Sequence, residues 1–175
     1  MFFKRWRKPR PAQLAGEALY AGAVTQARSP ALYLDLGVPD TREGRFELYS
    51  LHVILLLDRL KGQGSAAEET AQALVDRFTR GLDDAFRELG VGDMAVPKRI
   101  KKLAEAFFGR ARSADQAFDA LPDRRTLQAL VARTVFDGDD GKAAGLTDYL
   151  VRARGALAAQ PTDALLAGEA AWQEV

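Results

Sequence analysis

The 175-residue chain contains no cysteine and only one histidine, His52. Without cysteine there are no disulfides, no thiolate ligands for zinc or iron-sulfur clusters, and no cysteine nucleophile. One histidine cannot supply a set of imidazole ligands, and it lies in the most hydrophobic stretch of the chain, where it is a poor candidate for a catalytic base. We therefore expect neither a metal ion nor a cofactor.

Recognisable catalytic motifs are also missing. The sequence lacks the glycine-rich phosphate and dinucleotide loops, the zinc-protease motif and the nucleophile elbow of hydrolases. The stretch Asp137 to Gly141 resembles a calcium loop, but Gly141 stands where an oxygen ligand is needed and Lys142 where a glycine is needed. We expect a solvated turn between helices there. The sequence thus favours a protein that is not an enzyme.

Residues 1–10, MFFKRWRKPR, contain no acidic side chain and alternate aromatic residues with cations. The segment has no apolar run long enough for a secretory signal, and Pro9 and Pro11 would interrupt the amphipathic helix of a mitochondrial presequence. Three interpretations stay open: a solvated terminus, a peripheral membrane anchor, or a contact to ribosomal or other RNA. The candidate membrane or ribosome contacts are Phe2, Phe3, Lys4, Arg5, Trp6, Arg7 and Lys8.

No segment alternates like a strand, whereas apolar residues recur at helical spacing almost throughout, so the sequence predicts an all-α fold. Asp40 with Glu43, and Ser65 with Glu68, are expected to form capping boxes. Further boundaries are expected at Ser113 with Gln116, at Pro122 and at the 137–141 turn, which would give three or four helices after residue 109. The earlier predicted helices are Ala12 to Arg28, Ala31 to Leu36, about Arg42 to Lys61, Ser65 to Leu89, and Pro97 to about Gly109.

The predicted helix over about 42–61 is apolar in every direction, which is typical of a buried central helix. Its run Leu51 to Leu57 is too short to cross a bilayer. His52 lies within this run, where we expect a packed, hydrogen-bonded imidazole. The sequence therefore predicts one compact multi-helix domain over residues 12–175, preceded by a basic, aromatic tail at residues 1–11.

Two charged helix faces are candidate partner-binding sites. On the first face, Asp76 with Arg80 and Asp83 with Arg87 are expected to pair at i, i+4 spacing, with Asp84 alongside. Such exposed, paired carboxylates have no cause for a raised pKa, although an enzyme that uses them in a helical cavity stays an alternative. The second face carries Lys98, Arg99, Lys101 and Lys102, which would suit an acidic protein, RNA or lipid headgroups. For both faces plain solvation is the favoured interpretation, and partner binding is the alternative.

The net charge of +1 is unevenly distributed, with a basic N-terminal part, a near-neutral middle and an acidic C-terminal part. A protein that grips duplex DNA usually spreads positive charge over a whole face. We therefore expect no sequence-specific DNA binding.

Several motifs in the middle of the chain resemble the ubiquinol-cytochrome c chaperone family, over about residues 32–110. The first is G-V-P-D-T-x-x-G-R-F-E-L, from Gly37 to Leu48. The others follow in order without large gaps: L-H-V (51–53), L-V-D-R-F (74–78), D-D-x-x-R-E-L-G-V-G-D (83–93), V-P-K-R-I-K-K (96–102) and F-F-G-R (107–110).

The resemblance implies an all-helical, non-enzymatic chaperone that helps newly made cytochrome b, or the respiratory complex III built on it, to mature in the membrane. Mitochondrial members act with a small partner protein at the ribosomal tunnel exit. Because the chain shows no long mitochondrial presequence, we expect a bacterial protein of the cytoplasm, peripheral at the inner face of the inner membrane. A helical ribosome- or RNA-associated binding module is the alternative.

Overall fold

The computed structural model describes residues 10–88 and 96–175, and within these ranges the chain forms eight helices and no strand. The fold prediction of an all-α protein is confirmed. The helices are α1 (Pro11–Ala27), α2 (Pro30–Leu34), α3 (Arg42–Leu60), α4 (Ser65–Glu88), α5 (Val96–Asp119), α6 (Arg125–Val135), α7 (Asp140–Ala159) and α8 (Thr162–Leu166).

Helix α3 is the centre of the molecule, because α1, α4, α5, α6 and α7 all pack against it. Leu48, Val53 and Leu56 are completely buried, as expected for a helix that is apolar on every side. This arrangement confirms the predicted central helix. No helix in the described part of the chain is both long enough and apolar enough to cross a membrane.

Both expected capping boxes are wrong. The N-cap of α3 is Thr41, whose hydroxyl accepts from the Gly44 amide at 3.0 Å, while Asp40 pairs with Arg45 at 2.6 Å. Helix α4 starts at Ser65 itself, directly after Gly64, which has a positive φ of 93° that suits glycine. The Gly64 carbonyl accepts from the amides of residues 67 and 68, so Ser65 and Glu68 lie inside the first turn.

Helix α5 continues ten residues beyond its predicted end at Gly109. A glycine ends a helix where a left-handed backbone follows, but Gly109 is helical here and the Ser113 hydroxyl donates to its carbonyl at 3.2 Å. The predicted start at Ser113 is therefore wrong. Continuous burial of Phe107, Ala114 and Phe118 explains why the helix persists. The predicted end of the preceding helix, at residues 89–92, lies outside the described residues.

The boundaries expected near Pro122 and at residues 137–141 are confirmed. A loop with a cis Leu121–Pro122 peptide separates α5 from α6. Between α6 and α7, Asp137 and Gly138 adopt positive φ angles and Asp139 caps α7 by accepting from the Lys142 amide at 3.1 Å. The Asp137 to Gly141 stretch is thus a turn between helices, as predicted.

The C-terminal end folds back over the helices. The Gln26 side chain donates to the carbonyl of Gln173 at 2.8 Å, and the ring of Trp172 packs edge-on to His52 at 5.2 Å. Gln160 accepts from the amide of Ala171 at 2.8 Å. The C-terminal segment after α8 is therefore part of the packed structure.

Candidate partner-binding surfaces

Helices α4 and α5 form an antiparallel pair that carries both predicted charged faces. Phe78 of α4 packs on Phe107 of α5, with ring centroids 4.6 Å apart, and this contact fixes the register of the pair. Since the described part of α4 reaches residue 88 and that of α5 starts at 96, the structure brings part of the predicted set to one end of the pair. Those residues are Asp83, Asp84, Arg87, Lys98, Arg99, Lys101 and Lys102.

The first charged face lies mostly in solvent. Asp83 pairs with Arg87 at 2.8 Å, as predicted. The expected pair of Asp76 with Arg80 is wrong, because Asp76 accepts from Gln72 at 2.8 Å and Arg80 reaches across to Glu17 of α1 at 3.7 Å. The packing of α1 against α4 brings Glu17 within reach of Arg80, and residue spacing along α4 alone does not predict this contact.

Asp84 is also part of an ion pair, with Arg77 of its own helix at 3.7 Å. Its side chain is 64% exposed and that of Asp83 is 34% exposed. These carboxylates do not share an enclosed cavity, which is the arrangement that acid-base catalysis by a carboxylate pair would need.

The second charged face, at the start of α5, is fully exposed to solvent. Lys101 lies 3.9 Å from Glu105. Lys98, Arg99 and Lys102 have no carboxylate within ion-pair distance among the residues that the structure describes. This face therefore presents positive charge that the described part of the protein does not neutralise.

Helices α1 and α4 border an open cleft of about 900 Å³ near the start of α1. Its lining mixes acidic and basic side chains, including Glu17, Glu69, Asp76 and Arg80, with exposed Leu14 beside them. Of the predicted binding residues, Asp76 and Arg80 lie here instead of at the end of the α4–α5 pair. The predicted set is thus divided between two places.

A second, more apolar groove of about 470 Å³ lies between α3, α4 and α5. Phe108 is 50% exposed. The apolar side chains that line the groove are Ile54, Leu57, Leu60, Ala71, Phe108, Ala111 and Phe118. Two ion pairs lie at its rim. Asp58 pairs with Arg154 at 2.8 Å, and Lys61 pairs with Asp115 at 2.5 Å. An apolar groove with a charged rim is a common shape for receiving an apolar helix.

Sequence reasoning missed this groove, although the sequence contained a signal for it. Phe107 and Phe108 are neighbours on a helix, where successive side chains point about 100° apart, so one of the two lies towards the edge of the apolar face. Phe107 is 1% exposed, whereas Phe108 is half exposed. The double phenylalanine therefore marks the place where the core ends and the groove begins.

His52 is fully buried in a directional hydrogen-bond chain, which confirms its predicted role. Its Nδ1 lies 2.8 Å from the carbonyl of Leu48, and since a carbonyl only accepts, Nδ1 carries the proton. Its Nε2 then accepts from the Tyr149 hydroxyl at 2.8 Å, and Tyr149 accepts from Gln26 at 3.0 Å. Burial lowers the pKa of His52 to about 4, so the ring is neutral at neutral pH.

Glu47 and Arg110 form a buried ion pair that ties α3 to α5 through two hydrogen bonds. Burial raises the pKa of Glu47, and the hydrogen bonds from Arg110 act against that rise. The Arg110 guanidinium also lies over the ring of Phe46, 5.6 Å from its centroid. This contact joins the R-F-E-L and F-F-G-R motifs, which are more than 60 residues apart in sequence.

The predicted membrane or ribosome contacts, Phe2 to Lys8, lie outside the described residues.

The fold and these surfaces define an all-α protein with open charged and apolar faces. The chain belongs to the ubiquinol-cytochrome c chaperone family, whose model matches residues 34–172. This match extends well beyond the motifs over residues 32–110 and includes α6, α7 and α8.

Known relatives agree with this assignment. The chain is 23% identical to the mouse ubiquinol-cytochrome c reductase complex assembly factor 1, over 98% of this chain and 57% of the mouse protein. It is 21% identical to the Xenopus laevis protein of the same description, over 98% of this chain and 84% of that protein. The chain therefore spans little more than half the length of the mouse relative.

A solved structure shows the same fold. The crystal structure of the Cbp3 homolog from Brucella abortus superimposes with a TM-score of 0.83 at 36% sequence identity, covering 94% of this chain and 91% of that one. The agreement covers nearly all of both chains, so the two proteins share the helical arrangement described here.

Proposed function

We propose that the protein is a non-enzymatic assembly chaperone for ubiquinol-cytochrome c reductase, respiratory complex III. The observation that carries this proposal is the family match over residues 34–172. It is supported by relatives from mouse, frog and human that are described as assembly factors of that complex. The client that we propose is newly made cytochrome b, or another component of complex III.

The apolar groove is the surface we propose for the client. Components of a membrane complex carry helices that are apolar and that need cover before assembly. Leu57 and Phe108 offer such a helix an apolar contact, and removing apolar area from water stabilises the contact by about 25 cal/mol per Å². The ion pairs at the rim, Asp58–Arg154 and Lys61–Asp115, would face the polar edges of the bound helix.

The charged end of the α4–α5 pair is the surface we propose for a second macromolecule. Asp83, Asp84 and Arg87 offer mixed charge there, and Asp76 with Arg80 extends this surface into the α1–α4 cleft. A small partner protein or the ribosome would suit such a polar surface, because charge complementarity sets orientation and the rate of association. For residues 2–8, a membrane or ribosome contact stays our proposal.

We place this activity in the cytoplasm, at the inner face of the inner membrane. Cytoplasmic loops of membrane proteins are rich in lysine and arginine. The acidic C-terminal part of this chain has the opposite charge and would attract such loops. Binding alone accounts for a chaperone of this kind, so no catalytic step is proposed.

Deletion of the gene in its own host tests the proposal. We expect the deletion to lower cytochrome b content and ubiquinol oxidation, and the wild-type gene to restore both. A gene encoding Leu57→Asp should restore less, because it places a charge in the groove. A matched control is Leu34→Asp, which adds the same charge at an 81% exposed leucine of α2 outside the groove. Normal complex III in the deletion strain would contradict the proposal.

A further inference from the structure

Helix α5 displays a basic stripe along its exposed side. Lys98, Lys101, Phe108 and Arg112 recur at spacings of three, seven and four residues, which places them on one face of a helix. Lys102 borders this face, and all five residues are exposed. We use "basic stripe" for Lys98, Lys101, Lys102, Phe108 and Arg112.

The positive charge of the stripe is largely uncompensated. Three carboxylates of α5 share this face: Glu105 lies 3.9 Å from Lys101, Asp115 pairs with Lys61 of α3, and Asp119 lies seven residues beyond Arg112. Across residues 10–88 and 96–175, Lys98, Lys102 and Arg112 have no carboxylate within ion-pair distance. Like charges crowded on one helix face repel one another, so an anionic surface placed against them would stabilise the arrangement.

The stripe also has an apolar component. Phe108 is 50% exposed and forms one wall of the apolar groove, beside Ala111. Of the three acids that line the groove, Asp58 and Asp115 are neutralised by Arg154 and Lys61, and Glu68 of α4 is the third. The side of α5 that carries the lysines is thus continuous with a mostly apolar surface.

We propose that the basic stripe is a docking face for an anionic lipid bilayer, with the lysines on the headgroups and Phe108 inserted at the headgroup level. A helix that lies in a membrane interface combines cations with aromatic or aliphatic side chains in this way. RNA would place phosphates on the cations and would stack a base on Phe108, but it would leave the aliphatic side chains of the groove, such as Leu57, in water. A bilayer satisfies both features together, which is why we choose it.

Docking through the stripe would bring the mouth of the groove to the membrane surface. This consequence rests on the proposed function, since it places the groove where an apolar client enters or leaves the bilayer. The lipid contact itself does not depend on the client. Vesicle binding by the purified protein therefore tests the inference, while the deletion strain tests the chaperone role.

The experiment is co-sedimentation of the full-length protein with vesicles of phosphatidylcholine, with and without phosphatidylglycerol. We expect binding only to the anionic vesicles, and weaker binding as salt rises. Each cation at the surface changes partitioning by about fivefold, so Lys98→Gln/Lys101→Gln/Lys102→Gln should weaken binding by at least about tenfold. Phe108→Ser should weaken it at low salt and at high salt alike.

The matched control removes three exposed cations from α6 and α7: Arg125→Gln/Arg133→Gln/Arg152→Gln. It should leave most vesicle binding intact, and circular dichroism should show that every variant is folded. Equal loss in the two triple variants would overturn the docking face, as would equal binding to neutral vesicles.

A variant that lacks residues 2–8 separates the two membrane proposals. Binding that disappears with this deletion, but not with the lysine substitutions, would overturn the role of α5. Binding of RNA, with no binding of either vesicle, would overturn it too. Retained binding in the deletion variant, lost on adding the lysine substitutions, is the result that we expect.

Discussion

Glu47 of α3 and Arg110 of α5 form a two-bond ion pair across 63 residues of sequence. The Glu47 side chain is 6% exposed and that of Arg110 is 23% exposed, so the pair lies inside the molecule. It links α5, which forms one wall of the apolar groove, to the central helix α3. The pair thereby gives a structural explanation for two of the motifs quoted above, R-F-E-L and F-F-G-R.

Breaking this pair from one side should destabilise the protein strongly. Arg110→Met leaves the Glu47 carboxylate buried without its partner, and such a loss typically costs about 3–5 kcal/mol. The double variant Glu47→Leu/Arg110→Met should recover much of the loss, because no lone charge remains buried. Urea unfolding of the wild type, the single variants Arg110→Met and Glu47→Leu, and the double variant measures this. Additive losses in the double variant would count against a coupled buried pair.

His52 should make the stability depend on pH. Its pKa is about 4 in the folded protein and near 6.5 in the unfolded chain, so the unfolded chain binds more protons between these values. The contribution to stability is complete above pH 6.5 and is lost as pH falls towards 4, by on the order of 3 kcal/mol.

The comparison for this effect is His52→Gln, which keeps a donor and an acceptor but does not titrate. Urea unfolding at several pH values between 7 and 4.5 should show a smaller acid loss in the variant than in the wild type. Parallel curves for the two proteins would mean that His52 does not supply the effect.

Gly16 allows α1 and α4 to approach closely. A Cβ atom at this position would lie 2.8 Å from the Ala73 Cβ and 2.8 Å from the Leu74 backbone nitrogen, so the helices would have to move apart. Gly16→Ala should destabilise the protein by about 1–3 kcal/mol, which is typical of overpacking. Gly155→Ala is the control, since a Cβ there meets nothing within 4 Å, and it should stabilise α7 by about 0.5–1 kcal/mol. Thermal unfolding distinguishes the two, and equal effects would refute the close-packing explanation.

Phe107 and Phe108 should respond differently to the same substitution. Phe107→Ala empties a core position and should cost about 3–5 kcal/mol, whereas Phe108→Ala, at a half-exposed position, should cost much less. Urea unfolding gives both values. A loss at Phe108 as large as that at Phe107 would show that the groove wall is part of the core.

Helical periodicity in the sequence was sufficient to predict the fold class, the central helix and the packed state of His52. Helix boundaries were harder, because a glycine such as Gly109 ends a helix only where the backbone turns left-handed, and burial on either side decides that. The caps failed for a similar reason: Thr41 and Asp40 are both good cap residues, and the backbone angle selects between them.

The candidate surfaces depended on contacts between helices, which sequence spacing does not give. Arg80 was expected to pair with Asp76 on its own helix, but the packing of α1 against α4 offers it Glu17. The groove lies where α3, α4 and α5 meet around Phe108. Its one signal in the sequence is the pair of adjacent phenylalanines. The contact between Trp172 and His52 joins distant parts of the chain and had no local signal.

Photo-crosslinking in the host cell tests the central claim, that the groove holds a component of complex III during assembly. A photoreactive residue would replace Phe108 in one strain and the exposed Leu34 in another. We predict a crosslink to cytochrome b or another complex III component from position 108 and none from position 34. Equal crosslinking from both positions, or products at 108 that contain no complex III component, would contradict the account.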